Sequence, residues 1–236
     1  MTEVVALVTS IAACLSAIAA LVVVRQNYKQ RTASYRPDLI FVERTVRLQS
    51  FEQSGGMPQL SDEDGESQIL VPIVNVGLGA ARDLKVSWQF PIDQMISCIN
   101  LLAQQSLVPA YYEHKNGFLS LESKMSWAVR WGREEEIGYV LPALISETAP
   151  KELSLPKAYV ALVFGHYHFA LQAHRSDKSD AAQLIDIPDL PKLKCQIDYG
   201  DIGGLKHRLE VMVSVAPVVI SKDHFECVVR ILRCNA

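Results

Sequence analysis

Three histidines lie close together in the chain, His166, His168 and His174, and imidazole is a common ligand of zinc. On a β-strand His166 and His168 would share a face and could bind one ion, whereas on an α-helix they point about 200° apart. Apolar residues between Pro156 and Ala173 recur at helical spacing, and Ser154 is placed to cap a helix. We therefore expect a helix, packing and surface roles for the histidines, and no metal or other cofactor.

Two groups of carboxylates could in principle act as acids, bases or calcium ligands. Glu134–Glu136 is a run of three adjacent acids, which is typical of solvated charge. Asp198 and Asp201 flank Tyr199 and a glycine-containing turn, where aspartate side chains usually accept hydrogen bonds from the backbone. The turn offers too few regularly spaced oxygen ligands for calcium. Neither group predicts a catalytic site.

Motifs for nucleophilic catalysis and phosphate binding are missing from the sequence. There is no Gly-x-Ser-x-Gly elbow. Gly77-Leu78-Gly79 begins like a phosphate loop, but neither a third glycine nor Gly-Lys-Ser/Thr follows it. Trp127 and Trp131 would share one face of a strand, which favours a core position over a stacking platform for bases. We therefore predict a protein that is not an enzyme.

One segment near the N-terminus is long and apolar enough to cross a bilayer. Val4–Val24 has 21 residues without charge, proline or glycine, and a helix of that length spans roughly 30 Å. The alternative is a cleaved signal peptide ending near Ala17-Ile18-Ala19. However, the leader has no Lys or Arg, and apolar sequence continues to Val24. The sequence predicts an uncleaved single-pass transmembrane helix.

The flanks of this segment predict its orientation and its contact with lipid. The N-terminal flank carries Glu3, and the C-terminal flank carries four basic residues suited to lipid headgroups: Arg25, Lys29, Arg31 and Arg36. The positive-inside rule then places the rest of the chain in the cytoplasm, at the inner membrane of a cell. Outside residues 1–36 the net charge is −6, which disfavours binding to a nucleic-acid polymer.

Small residues recur at four-residue spacing along the predicted span. They form two neighbouring rows, one with Ala12, Ser16 and Ala20 and one with Thr9, Ala13 and Ala17. Such rows allow close helix–helix approach and favour homo-oligomerisation in the membrane. The alternative is that alanine is simply frequent in membrane helices.

The remaining chain is predicted to be mainly β. We expect an anchor and basic juxtamembrane helix at residues 1–36 that ends before Pro37, and one soluble domain at 37–236 with a loop at 50–67. Helices are expected at Pro91–Gln105 and Pro156–Ala173. Strands are expected at Leu39–Val42, Thr45–Leu48, Gln68–Val76, Leu84–Phe90, Phe118–Leu121, Met125–Trp131, Glu136–Leu141, Leu193–Tyr199, Lys206–Val215 and Val228–Leu232.

Five cysteines are spread widely and contain no CxxC pair. One of them, Cys14, lies inside the predicted span. The spacing is not that of a disulfide framework, so reduced thiols in a cytoplasmic domain are expected.

Two stretches resemble a common bacterial group of single-span membrane proteins with a basic juxtamembrane helix and an Ig-like β-sandwich domain. The first has an Asn-x-Gly-x-Gly-x-Ala hairpin, matched by Asn75, Gly77, Gly79 and Ala81, and the second has a late Tyr-x-Asp hairpin, matched by Tyr199 and Asp201. The resemblance implies an N-terminal transmembrane helix followed by an Ig-like β-sandwich, or a small barrel, with one or two inserted helices. It implies no catalytic residue.

Two functions fit these expectations best, and an enzyme whose site has no recognisable motif is a third alternative. The first is a membrane-tethered, non-enzymatic interaction or sensing module whose cytoplasmic β-sandwich binds a protein partner or a small-ligand signal. The second is a membrane-perturbing effector of a bacterial antiphage or toxic system, in which the sandwich senses a signal such as a nucleotide and the helix oligomerises.

Overall fold

The computed structural model describes residues 2–49, 69–122, 127–132, 134–143, 150–176, 190–220 and 224–234. Three helices lie within these ranges: α1 (Thr2–Ser34), α2 (Ile92–Gln105) and α3 (Lys157–Ser176). The strands are β1 (Leu39–Phe41), β2 (Arg44–Gln49), β3 (Leu70–Asn75), β4 (Ala81–Gln89), β5 (Tyr111–Lys115), β6 (Phe118–Glu122), β7 (Trp127–Arg130), β8 (Glu134–Val140), β9 (Lys151–Ser154), β10 (Leu193–Gly200), β11 (Lys206–Ile220) and β12 (His224–Arg233). The described chain is mainly β, as predicted.

Helix α1 contains the whole predicted span and continues through most of the basic segment. It ends at Ser34, because Pro37 restricts the residue before it to extended conformations. The stretch Leu7–Arg31 is long and apolar enough to cross a membrane, and none of it is buried against the rest of the protein. An apolar helix that does not pack on the protein core is expected to have its surface covered by something outside that core.

The strands form one six-stranded sheet and two three-stranded sheets. The large sheet has the order β2-β12-β11-β10-β4-β8, and the smaller ones have the orders β1-β3-β9 and β5-β6-β7. All pairs of strands within them are antiparallel. The predicted hairpin of β10 and β11 is confirmed, with Gly200 paired to Lys206 across the turn.

One hydrophobic cluster joins all three sheets to helices α2 and α3. It includes Ile73 of the β1-β3-β9 sheet, Leu84 of the large sheet and Leu119 of the third sheet, each fully buried. Alternate residues of β10 are buried, from Leu193 to Tyr199, which is the pattern of a strand with one face on a core. Burial of this apolar surface is the main stabilising contribution to the fold.

The two ends of the large sheet differ in what they carry. At the end where β4 finishes, Phe90 packs its ring against Tyr159 of α3 (4.9 Å) and Trp131 after β7 (6.4 Å). Tyr167 of α3 donates a hydrogen bond to the carbonyl of Val215 in β11. We call this the distal end. At the opposite end lie the start of β4, the β10–β11 turn and the end of α1.

Most of the predicted elements are confirmed, including the helical state of residues 157–173. Two strands were missed, β5 and β9. The sequences Tyr111–Lys115 and Lys151–Ser154 are short and largely polar, so they show little alternation of apolar residues. The predicted loop at 50–67 lies outside the described residues.

The predicted hairpin of β3 and β4 is wrong. β3 pairs with β1 and β9, whereas β4 pairs with β10 and β8 in the other sheet. The connection from Asn75 to Ala81 therefore crosses from one sheet to the other. The reason is that the Asn75 side chain and backbone groups of this connection form hydrogen bonds to the segment that follows α1, as described next.

Candidate functional site at the anchor junction

The segment that leaves α1 is held against the β-rich part of the chain from its first residues. We call Tyr35–Asp38 the linker. Its first amide donates to the carbonyl of Arg31 (2.9 Å), so helical bonding continues up to the linker. The carbonyl of Asp38 then accepts from the amide of Val76 (2.8 Å), and β1 begins directly afterwards. Backbone hydrogen bonds therefore hold the linker at both of its ends, to α1 and to the residue after β3.

The buried side chain of Asn75 joins three segments through four hydrogen bonds. Its Oδ1 accepts from the backbone amides of Asp38 and Gly77, at 3.1 Å each. Its Nδ2 donates to the carbonyls of Gly79 (2.7 Å) and Val140 (3.2 Å). The residue is 1% exposed. A buried amide with all of its partners in place fixes geometry, since removal of any partner leaves a costly unpaired polar group.

Two glycines allow the linker to approach this connection closely. A Cβ on Gly77 would overlap the carbonyl oxygen of Arg36, and a Cβ on Gly79 would overlap that of Tyr35. Both neighbours are backbone atoms of the linker, which cannot rotate away as a long side chain can. The Asn75 side chain thus bonds to the backbone of this connection, and the glycines are required by backbone contact with the linker.

The other side of the linker is fixed by an arginine from the last strand. Arg233 donates to Oδ1 of Asp38 (2.8 Å) and to the carbonyl of Leu39 (2.6 Å). Both side chains of the pair are about half exposed (48% and 56%), so the ion pair alone adds little stability. Its effect is positional, because it ties the linker to the large sheet while Asn75 ties it to the other sheet.

The turn between β10 and β11 is built around Asp201, which is 3% exposed. Its carboxylate accepts from the amide of Leu205 (2.8 Å) and contacts Nε2 of His207 (3.0 Å). The His207 ring stacks on Tyr199 at 5.4 Å. Arg82 of β4 donates to the carbonyl of Asp201 (3.1 Å). The Tyr-x-Asp and Asn-x-Gly-x-Gly motifs therefore lie at the same end of the molecule.

The electrostatics of this end follow from burial and from these partners. Burial opposes ionisation of Asp201, but hydrogen bonds from His207 and from the backbone amides of Leu205 and Gly203 outweigh it and lower its pKa. Burial raises the pKa of Tyr199, while the nearby positive charges of Arg36 and Arg233 act in the opposite direction. The negative charge of Asp38 raises the pKa of Tyr199, so charges of both signs on the linker act on this residue.

Asp198 behaves differently from the prediction that it bonds to the turn backbone. Its carboxylate accepts from the side chains of Arg208 (2.7 Å) and Gln196 (3.0 Å). The hydrogen bond from Arg208 lowers the pKa of Asp198, burial raises it, and the bond from Gln196 lowers it further. The prediction fails for Asp198 because its side chain points across the hairpin to β11, whereas it is confirmed for Asp201.

Along α1, side-chain size is divided between two faces. At 100° per residue, the small residues between Leu7 and Leu21 fall within one half of the helix circumference. They include both predicted rows: Thr9, Ser10, Ala12, Ala13, Ser16, Ala17, Ala19 and Ala20. Every leucine, isoleucine and valine of this stretch, together with Cys14, lies on the other half. One face of the helix can therefore approach another helix more closely than the opposite face.

The four predicted headgroup-binding residues are all exposed. Arg25, Lys29 and Arg31 lie on the C-terminal turns of α1, and Arg36 lies in the linker. Arg36 differs from the others because it also contacts the β-rich part of the chain, through its backbone at Gly77. The basic residues thus run from the end of the apolar helix to the junction itself.

The histidines and glutamates considered for chemistry do not come together. His166 is buried and His168 is partly buried. Both lie on α3, and on a helix their side chains point in different directions, as the sequence analysis predicted. Within the described ranges, no group of three or more His, Cys, Asp or Glu side chains could hold a metal ion. Glu134–Glu136 lie on β8, an edge strand, and Glu136 pairs with Lys85 at 3.4 Å on the surface. Charge on an edge strand discourages pairing with other chains.

The remaining predicted groups have structural positions. Trp131 is buried and packs on Phe90, so its assignment to the core is confirmed; the side chain of Trp127 lies outside what the structure describes. All five cysteines have free thiols. Burial raises the pKa of Cys227 to about 12 and raises that of Cys195 still further, so both thiols stay protonated and unreactive.

Several junction residues were not predicted from the sequence. Asp38, Arg82 and Arg233 act through contacts between residues 119 or 195 positions apart, and a single sequence carries no local pattern for such pairs. His207 lies only six positions from its partner Asp201, but it is outside the Tyr-x-Asp motif. The only available indication was the pair of turn motifs.

No family model, curated protein or solved structure matches this chain. The junction is therefore interpreted from its own geometry.

We predict that Gly79→Ala destabilises the junction, because the new Cβ would overlap the carbonyl of Tyr35. The expected loss is about 1–3 kcal/mol of unfolding free energy, measured by denaturant unfolding in detergent. Gly138→Ala is the matched control, since it also adds one methyl group but meets no atom within 4 Å on β8. Equal effects of the two substitutions would contradict the close approach.

Asp201→Asn tests the charge at the β10–β11 turn. A carboxyl with a lowered folded-state pKa contributes stability above its unfolded value of 3.8, and this contribution is lost as pH falls through the folded-state value. We expect the wild-type chain to lose more stability than the variant between neutral pH and pH values below 3.8, as measured by thermal unfolding. Parallel pH profiles for the two chains would show that the carboxylate charge makes no contribution.

Proposed function

We propose that this chain is a membrane-tethered, non-enzymatic interaction or sensing module. Helix α1 would be its single span, and the strands with α2 and α3 would form an Ig-like β-sandwich, or a small barrel, in the cytoplasm at the inner membrane. The observation that carries the proposal is the junction. The single long, apolar and unburied helix found among the described residues is joined to the sheets by Asn75, two closely packed glycines and Arg233, instead of by a flexible linker.

A hydrogen-bonded junction supports a positioning role for the helix. A flexible linker would allow a domain to sample many orientations, whereas bonds to both sheets restrict this one relative to α1. The basic residues from Arg25 to Arg36 support seating on anionic headgroups and the cytoplasmic orientation. Partners of such a module would be membrane lipid together with a protein or a small-ligand signal presented near the membrane surface.

The surface chemistry supports interaction as the role of the domain. Outside residues 1–36 the chain has a net charge of −6, and this disfavours binding to a nucleic-acid polymer. The carboxylates of Asp198 and Asp201 are paired with Arg208 and His207, and Asp201 also accepts from the amide of Leu205. These contacts shape the β10–β11 turn.

The test is to release the chain from the membrane without changing the domain. Ile11→Lys with Ile18→Lys should prevent insertion, because each charge at the centre of a span costs roughly 2.5–3.5 kcal/mol. Gln26→Lys with Gln30→Lys is the matched control, with two added charges in the basic segment. We expect the first variant to leave the carbonate-washed membrane fraction, stay folded by circular dichroism, and lose the protein neighbours labelled by a fused biotin ligase.

The control should remain in the membrane fraction with the wild-type set of neighbours. A released, folded variant that keeps this set would contradict a role for tethering, and a wild-type chain found in the soluble fraction would contradict the span itself.

The division of α1 into a small face and a bulky face favours a second function, a membrane-perturbing effector. In this case the domain senses a signal such as a nucleotide, as in bacterial antiphage or toxic systems, and helices associate through their small faces. Small residues on one face let two helices approach closely and pack in the membrane. The two functions differ in outcome, since only the effector permeabilises a bilayer.

Dye release from vesicles that contain the purified chain separates them. For the effector, Ala13→Leu with Ala17→Leu should reduce release, because leucine blocks close approach of the small faces. Each 1.4 kcal/mol of association free energy that is lost weakens association about tenfold. Ile11→Leu with Ile18→Leu, on the bulky face, is the control and should release dye as the wild type does. The absence of dye release from the wild type and from cells that overproduce it would argue against the effector.

A further inference from the structure

Five exposed apolar side chains lie at the end of the molecule where α1 joins the sheets. They come from three loops: the β3–β4 connection, the residue after β8 and the β10–β11 turn. We call this set the rim: Val76 (46% exposed), Leu78 (46%), Leu141 (43%), Ile202 (62%) and Leu205 (53%). The pairing of Ala81 with Val140 and of Arg82 with Gly200 places all three loops at this one end.

The hydrogen bonds of the junction prevent the rim from turning inward. Asp201 accepts from the amide of Leu205, and the amide of Gly204 donates to the carbonyl of Asp201 (3.1 Å), so the turn is closed on itself. Asn75 holds the β3–β4 connection by bonds to Gly77 and Gly79 on either side of Leu78. The backbone of these loops is therefore ordered, and it holds the apolar side chains outward. Loop disorder does not explain their exposure.

We propose that the rim contacts the bilayer that α1 crosses, with Ile202 and Leu205 in the headgroup layer. This inference rests on the proposed membrane span. The occupant follows from continuity, because Gly79 touches Tyr35, the first residue after the helix. Exposed Lys206 directly follows Leu205, and exposed Arg36 lies at the same end. Apolar side chains next to cations match an interface of acyl chains and anionic headgroups.

The dimensions of the anchor allow this contact. The ten residues from Arg25 to Ser34 span about 15 Å as a helix, and the headgroup layer accounts for roughly 5–8 Å of it. β1 begins in one sheet and the β10–β11 turn belongs to the other, so the turn lies to one side of the exit. A tilt of α1, for which about 0–40° is ordinary, would bring that side toward the headgroup layer.

The tether also explains why a small apolar surface is sufficient. A patch of five side chains would bind vesicles weakly as a separate molecule. Attached to the span, it faces the bilayer at a high effective concentration, so that a weak contact is occupied without further partners. The rim would then set the orientation of the domain on the membrane, while the distal end with α2 and α3 faces away from it.

The experiment uses the full-length chain in lipid nanodiscs, with an environment-sensitive fluorophore attached to one engineered cysteine. Cys14, Cys98 and Cys234 are replaced by serine, and the buried Cys195 and Cys227 are kept. The label is placed at Ile202→Cys or at Phe118→Cys. Phe118 is similarly exposed (48%), but lies beside Gly117, which accepts a hydrogen bond from Trp131 at the distal end.

We expect lipids with spin-labelled headgroups to quench the label at position 202 and to leave the label at position 118 unchanged. Flotation of the same nanodiscs or vesicles shows separately whether α1 is inserted. An inserted chain with equal quenching at the two positions would overturn the lipid contact while leaving the span intact. If the label at position 202 is equally shielded in lipid-free detergent and becomes exposed when the protein is diluted, the rim contacts a second copy of the chain. This result would also overturn the lipid contact.

Discussion

The side-chain amide of Asn75 is the interaction on which the architecture of the junction depends. It is buried, and its two donors and two acceptor contacts reach Asp38 after the helix, Gly77 and Gly79 in the sheet-to-sheet connection, and Val140 at the edge of the large sheet. An apolar residue here would leave these backbone groups unpaired in a site closed to water. The amide therefore decides where the chain from α1 enters the fold.

From this point the rest of the arrangement follows. Because the linker is bonded to the β3–β4 connection, β3 and β4 separate into different sheets and enclose a common core. The same constraint brings the turn built by Asp201 to the end where α1 leaves. Arg82 and Arg233 connect this turn and the linker to neighbouring strands. An apolar, unburied helix and a β-rich body are thus joined with a restricted geometry. This junction supports a tethering function better than any described cluster of side chains supports catalysis.

The sequence predicted the elements well where local chemistry determines them. Alternation along Leu193–Tyr199, helical spacing in α2 and α3, and the proline after α1 are properties of neighbouring residues, and each of these elements is present. Pairing across the chain was harder to predict. The Asn-x-Gly-x-Gly motif indicated a turn but not which strands it connects, since the deciding contacts come from residues 35–38 and from Val140. Arg233 could not be assigned, because its partner Asp38 lies 195 positions away.

The most direct test of the account is hydrogen–deuterium exchange of the backbone amides at the junction, with the full-length chain in lipid nanodiscs. Asp38 and Val76 donate to Asn75 Oδ1 and to the Asp38 carbonyl, respectively. A restricted junction predicts that both amides exchange as slowly as those of β10 in the middle of the large sheet. Exchange at the rate of exposed loop amides, with β10 still protected, would show that α1 and the sheets are joined by a flexible linker.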